Sequence, residues 1–136
     1  MTVYVLDSSA LIRFLDKEAG WERMKSILKD CVQGRVEACI SAVQWGEVAG
    51  NLRKRFGPTG EARILGSLLP SQAKIVSATA ERAIHAAEIR NDHKLSYADG
   101  FALDLAMNSP DHVLVTADYG FKTVDDLARI EFLPTK

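Results

Sequence analysis

No apolar run in this 136-residue chain approaches the ~20 residues that a membrane-spanning helix needs. The opening stretch, MTVYVLDSSALIRFLDKEAG, lacks a basic leader and carries Asp7 inside its apolar part, so it does not read as a secretory signal. Both absences predict a cytoplasmic chain with no membrane partner. Cysteine is scarce. Cys31 and Cys39 stand in CVQGRVEAC, with no CxxC pair and no Cys/His cluster at zinc spacing. In a reducing compartment they read as small core residues. Net charge is nearly absent as well: at −1 overall, the chain does not show the broad basic footprint of a nucleic-acid binder. Internal repeats, low-complexity tracts and linkers are also missing, which leaves a single domain over residues 1–136.

What is present is an ordinary globular composition, 47% hydrophobic and 26% charged, in a chain long enough to bury a core. VYVLD (3–7) is a short β-branched run ending in an acid and reads as a buried strand. SSALIRFLD follows as a helix that Ser8 or Ser9 can cap, with Leu11, Ile12 and Leu15 inward. A second helix carries Trp21, Met24, Ile27, Leu28 and Cys31 on one face and stops at Gly34. VEACI (36–40) is a second strand. Ser41 then caps a helix with Trp45, Val48 or Ala49, Leu52 and Phe56 on its apolar stripe, ended by Gly57-Pro58. A short helix closed by Pro70, a strand in AKIVSA, and two helices that break near Asn91-Asp92 come next. HVLVTAD supplies a fourth strand and RIEFL a fifth. This alternation predicts an α/β fold, a mostly parallel sheet covered by helices.

Parallel sheets of this kind place ligands at the carboxyl ends of their strands. Asp7 follows the first strand and Asp118 follows HVLVT, so both fall at that rim; each reads equally as a turn or cap residue. Asp99, in LSYADGFAL, has Leu95, Ala102 and Leu103 as helical neighbours, an apolar setting in which an unpartnered carboxylate is costly. Glu47 has the mixed neighbours Val43, Gln44, Gly50 and Asn51, and periodicity alone favours a solvated residue. The small residues Gly46, Ala49 and Gly50 would let another element come close to it. Gathered carboxylates raise one another's pKa, and a hard divalent cation removes that penalty. The chemistry suggested is phosphodiester hydrolysis. Setting four acids aside leaves 14 acidic residues against 17 basic ones, a mildly positive shell suited to a polyanion.

Four segments, VYVLDSSALIRFL, SAVQWGEV, KLSYADGFALDLA and VLVTADYGF, resemble in that order the acid-bearing motifs of PIN-domain ribonucleases. Size and motif spacing are most similar to the VapC-type toxins of bacterial toxin–antitoxin pairs, and the resemblance covers almost the whole chain. It implies a five-stranded parallel sheet in order 3-2-1-4-5 and an endoribonuclease dependent on Mg²⁺ or Mn²⁺. It also implies an acidic quartet of Asp7, Glu47, Asp99 and Asp118, with Ser8 and Thr116 as polar neighbours. In this scheme Asp7 and Asp99 hold the ion most directly, Glu47 and Asp118 complete its shell, and Thr116 or Ser8 orients water or a phosphate oxygen. The implied partners are an RNA substrate, a cognate antitoxin and a second copy in a homodimer. Gly100 departs from the pattern, since many relatives carry Ala there; Gly lowers helix propensity by ~1 kcal/mol.

Other features read as structural. Asp104 lies about 140° around the helix from Asp99 and is expected to face solvent. Asp125-Asp126 reads as a surface turn or helix start, His85 and His93 as surface or helix-end residues, and His112 as the start of a strand. The basic run 53–55 contacts phosphates or forms the solvated end of a helix, and Arg13 is a similar phosphate candidate. Trp21, Trp45 and Phe56 belong to the core, or, if exposed, to an apolar groove for a partner helix. A competing reading is a non-catalytic PIN-like scaffold that keeps the acids and binds protein. A phosphoacceptor receiver is disfavoured, because MTVYVLD offers no acid pair.

Overall fold

Leu6 and Val5, Ile40 and Cys39, Val115 and Leu114 are consecutive pairs on strands, and in each pair the two side chains enter different hydrophobic cores. That alternation follows from the twofold period of a strand, and it gives a sheet buried on both faces. The computed structural model describes residues 1–68 and 73–136. Its elements run β1 (Val3–Leu6), α1 (Ser8–Asp16), α2 (Trp21–Val32), β2 (Glu37–Ser41), α3 (Ala42–Leu68), β3 (Lys74–Val76), α4 (Ala80–His93), α5 (Tyr97–Ala106), β4 (His112–Thr116) and β5 (Arg129–Phe132). A short 3-10 helix, Tyr119–Val124, which the periodicity did not signal, joins β4 to β5. The five strands are all parallel in the order β3-β2-β1-β4-β5. No described helix is long and apolar enough to cross a membrane.

One face of the sheet packs Ala10, Leu11, Met24, Ile27, Leu28, Val48 and Leu52 from α1, α2 and α3. The other packs Ile89 of α4, Ala102, Leu103, Leu105 and Ala106 of α5, and Phe121 and Val124 of the 3-10 helix. Cys39 is buried in this second core, and Cys31 is half-buried against the first.

Several boundaries differ from the sequence reading. Asp7, not Ser8 or Ser9, occupies the N-cap position of α1, because the strand ends at Leu6 and the chain turns at once. Ile12 stays half-buried beside the buried Leu11. Gly57 does interrupt α3, with φ 73 and ψ 176 ahead of Pro58. Pro70, read as the stop of the following arm, lies outside the described residues. The break expected near Asn91-Asp92 is present: α4 runs to His93 and closes at Lys94, which takes the left-handed conformation with φ 55. Phe56 is 49% exposed, so it is not core, while Trp21 and Trp45 are half-buried.

Gly100 has a packing reason. A Cβ there would sit 2.6 Å from the carbonyl oxygen of Ala86, so α4 and α5 touch backbone to backbone at this point. The same contact corrects the reading of Asp104. It is buried, and its carboxylate accepts from Arg82 at 2.8 Å and meets His85 Nδ1 at 2.7 Å. The angle from Asp99 is as expected, but α4 covers that side of α5.

Candidate active site

Asp7 leaves β1 at the carboxyl end of the sheet, and its main-chain oxygen accepts from the amides of Ala10 and Leu11 at the start of α1. In place of capping its own helix, the side chain turns into the junction with β4. Oδ2 accepts two hydroxyl bonds, from Ser9 at 2.5 Å and from Thr116 at 2.7 Å. Each of those hydroxyls accepts in turn from a backbone amide just past β4: Ala117 to Ser9 at 3.0 Å, Asp118 to Thr116 at 2.9 Å. Two parallel relays therefore end on one oxygen of one carboxylate. The other oxygen, Oδ1, is buried and has no hydrogen-bond partner among the described residues. Burial pushes the Asp7 pKa up; the two hydroxyl bonds oppose this, and the charges of Asp118 and Glu47 add to the rise.

Asp99 stands in the first turn of α5, whose N-terminus lies at the same rim. The spacing from Ser96 to Asp99 is that of a capping box, and the Asp99 amide donates to Ser96 Oγ at 3.1 Å. Its half-buried carboxyl is pushed up to about 6, first by burial and then by the charges of Asp7 and Asp118. Asp118 is exposed and caps the 3-10 helix, accepting from the Gly120 amide at 2.8 Å. Glu47, on the first turns of α3 after β2, is exposed and accepts from Ser8 Oγ at 3.1 Å. Gly46 and Gly50 beside it face open space, with no described element in contact over them.

The fold thus draws the four acids to one end of the sheet, near enough for each of the other three to raise Asp99. Among the described residues, no three His, Cys, Asp or Glu side chains stand as a ready-made metal cage. The donor set nevertheless suits a hard divalent cation. All four groups offer carboxylate oxygen, Asp7 Oδ1 is buried without a partner, and such an ion usually takes one or two protein carboxylates directly and keeps several waters.

Two contributors escaped the sequence reading. Ser9, considered only as a cap, is a hydrogen-bond donor to Asp7. Gln44 is completely buried; its Oε1 accepts from the Ser8 amide at 2.6 Å and its Nε2 donates to the Ala98 carbonyl at 2.8 Å. It ties the start of α1 to the first turn of α5, beside Asp7 and Asp99. The available signal was its position four and eight residues before the buried Val48 and Leu52.

Three of the basic candidates, Arg13, Arg53 and Arg55, make contacts elsewhere. Arg55 makes a two-pronged contact to Asp16, Arg53 pairs with Glu61, and Arg13 donates to the Ala19 carbonyl. His93 ends α4, His112 opens β4, and Asp125-Asp126 form an exposed turn.

A family model, described as the PIN domain, matches residues 4–127. Similar solved structures include VapBC2 from Rickettsia felis bound to a promoter DNA fragment, at 15% identity and TM-score 0.70, covering 98% of this chain and 100% of that one. DNA-bound VapBC from Salmonella typhimurium is 18% identical with TM-score 0.69, covering 97% and 98%. Mycobacterium tuberculosis VapC20, described as a Sarcin-Ricin loop cleaving toxin, is 15% identical with TM-score 0.70, covering 98% and 100%. At these identities the likeness is one of fold. No curated protein matches the chain.

Proposed function

The chain belongs to the PIN-domain family, and from that premise we propose that it is a divalent-cation-dependent endoribonuclease, the toxin of a toxin–antitoxin pair. Asp7, Glu47, Asp99 and Asp118 form its acid site. Asp7 supports this most: a buried carboxylate with one oxygen held by two hydroxyls, the other unpartnered among the described residues, and three more acids acting on it or its neighbour. A carboxylate kept for structure alone would have both oxygens satisfied.

A bound Mg²⁺ or Mn²⁺ supplies Lewis acidity, which lowers the pKa of water, polarises a phosphoryl oxygen and neutralises developing charge. Asp7 and Asp99 would hold the cation most directly, and Glu47 and Asp118 would complete its shell, partly through waters or at a second ion. Thr116 is completely buried and spends its hydroxyl on Asp7, so it is a positioning residue rather than one that meets substrate. Ser8, hydrogen-bonded to Glu47, orients a water or a phosphate oxygen. Water would add to the phosphorus of the RNA phosphodiester as one P–O ester bond breaks, the departing ribose oxygen taking up a proton from solvent, and no side chain forms a covalent bond to the phosphate.

The fold neighbours that are toxin–antitoxin complexes support a cognate antitoxin as partner, and the chain acts as a homodimer. Exposed Phe56, beyond which α3 kinks, is an apolar anchor for a partner helix.

The test is RNA cleavage with Mg²⁺ or Mn²⁺ against EDTA, wild type beside Asp7→Asn, with calorimetric titration of Mn²⁺. Cleavage that needs the ion and disappears in a folded Asp7→Asn protein is expected. Cleavage in EDTA, or full activity of the variant, overturns the reading. Neither metal binding nor cleavage leaves a protein-binding scaffold.

A further inference from the structure

Beside Asp118 stands an aromatic pair that the acid site does not use. Tyr119 stacks on Phe132 with centroids 5.2 Å apart and planes 12° from parallel. Its hydroxyl donates to the Leu133 carbonyl at 2.7 Å, so the ring is fixed at both ends. Yet Tyr119 remains 38% exposed, while Phe121 and Val124 of the same 3-10 helix supply its buried anchors. Lys122 Nζ lies 5.4 Å from the Tyr119 centroid and 5.2 Å from the Phe132 centroid. Equidistant from two stacked rings, the ammonium sits alongside the pair and not over the Tyr119 face turned away from Phe132.

We infer that this outer face of Tyr119 is a stacking platform for an unpaired nucleobase of the RNA next to the cleaved phosphodiester, with Lys122 meeting an adjoining phosphate. The assignment rests on the ribonuclease reading above. An aromatic face held rigid before binding loses little freedom when a base settles on it, and stacking of this kind tolerates any base. The cation beside the ring adds attraction for the backbone without occupying the stacking face. Tyr97, the other exposed tyrosine close to an acid, is the internal contrast. It lies about 200° around α5 from Asp99, meets Phe101 edge-on at 5.0 Å, and reaches the Ala83 carbonyl of α4.

The test is a fluorescence titration of a single-stranded oligoribonucleotide carrying one 2-aminopurine, in EDTA so that it is not cut, run beside the metal-dependent cleavage assay. Wild type is expected to bind and quench the probe. Tyr119→Ala should bind about tenfold more weakly and lose the quenching. Tyr119→Phe, which keeps the ring and loses only the bond to Leu133, should stay within about twofold of wild type. Tyr97→Ala should be unchanged, and Lys122→Ala should flatten the log–log salt dependence by about one unit. Binding by wild type without quenching, or a folded Tyr119→Ala as tight as wild type, overturns the platform while cleavage leaves the nuclease reading standing. A Phe variant as weak as the Ala variant also overturns it, by assigning Tyr119 to the Leu133 bond. If wild type neither binds nor cuts RNA, both readings fall. The Phe variant and the wild-type quenching keep the test decisive should the Ala variant not fold.

Discussion

The Thr116 hydroxyl donates to Asp7 Oδ2 at 2.7 Å, joining residues 109 positions apart across the neighbouring strands β1 and β4. Ser9 reaches the same oxygen from the α1 side. One carboxylate oxygen is thereby fixed by the fold, and the other is buried without a hydrogen-bond partner among the described residues.

Thr116→Val removes that donor and also the acceptor for the Asp118 amide. Urea denaturation should show a loss of about 1–3 kcal/mol. RNA cleavage should fall mainly in kcat, because Asp7 loses its orientation, and Thr116→Ser should restore most of both.

Asp99→Asn should be more stable than the wild type at neutral pH when no divalent ion is present. The native carboxyl is raised from 3.8 to about 6, chiefly by burial. The folded state therefore holds its proton more tightly than the unfolded chain. The contribution of this group to wild-type stability is full below about pH 4 and is lost as pH rises through about 6. Asn does not titrate, so the advantage is absent at low pH and reaches the order of 1 kcal/mol above pH 7, after solvent screening of this half-exposed group. Mn²⁺ should raise the wild-type melting temperature by mass action and the variant's less; thermal melts across pH, with and without Mn²⁺, measure both effects.

Gly100→Ala should destabilise the protein, although Ala is the better helix former by ~1 kcal/mol. The added methyl meets the Ala86 carbonyl oxygen at 2.6 Å, a backbone atom that no side-chain rotation can move away. A net loss of about 1–3 kcal/mol is expected, read as a fall of several degrees in Tm.

Gln44→Leu should cost about 1–3 kcal/mol, since it removes the fully buried amide that bonds the half-buried Ser8 amide and Ala98 carbonyl. Cleavage should weaken as well, because α1 and α5 lose the tie that keeps Asp7 and Asp99 in register; equilibrium unfolding and cleavage assays on the same preparation test the pair.

The strand rim was legible because apolar β-branched runs that stop at Asp7 and near Asp118 carry both the strand and its end in one pattern. The kink at Gly57-Pro58 was legible because backbone chemistry is local. Asp104 was not, because periodicity gives an angle around one helix but not the Arg82 and His85 that a neighbouring helix brings to it. Gly100 looked like a weakened helix position for the same reason: the closeness of Ala86 belongs to two helices together. Phe56 fitted the apolar stripe of α3, but the stripe outlasts the surface it packs against. Of the candidate site, the acids themselves could be named from motifs, whereas Ser9 and Gln44 emerged only once hydrogen-bond partners from distant segments were known.

The relay between β4 and Asp7 has a consequence for synthesis on the ribosome. With β1 at the centre of the sheet and β4 its partner, a nascent chain lacking residues 112–118 has neither the strand that seals Asp7 nor the amides that steady it. Non-local pairings of this kind form late. Asp7 therefore reaches its final setting only when the last fifth of the chain has emerged, and whatever depends on that carboxylate waits until translation is nearly complete.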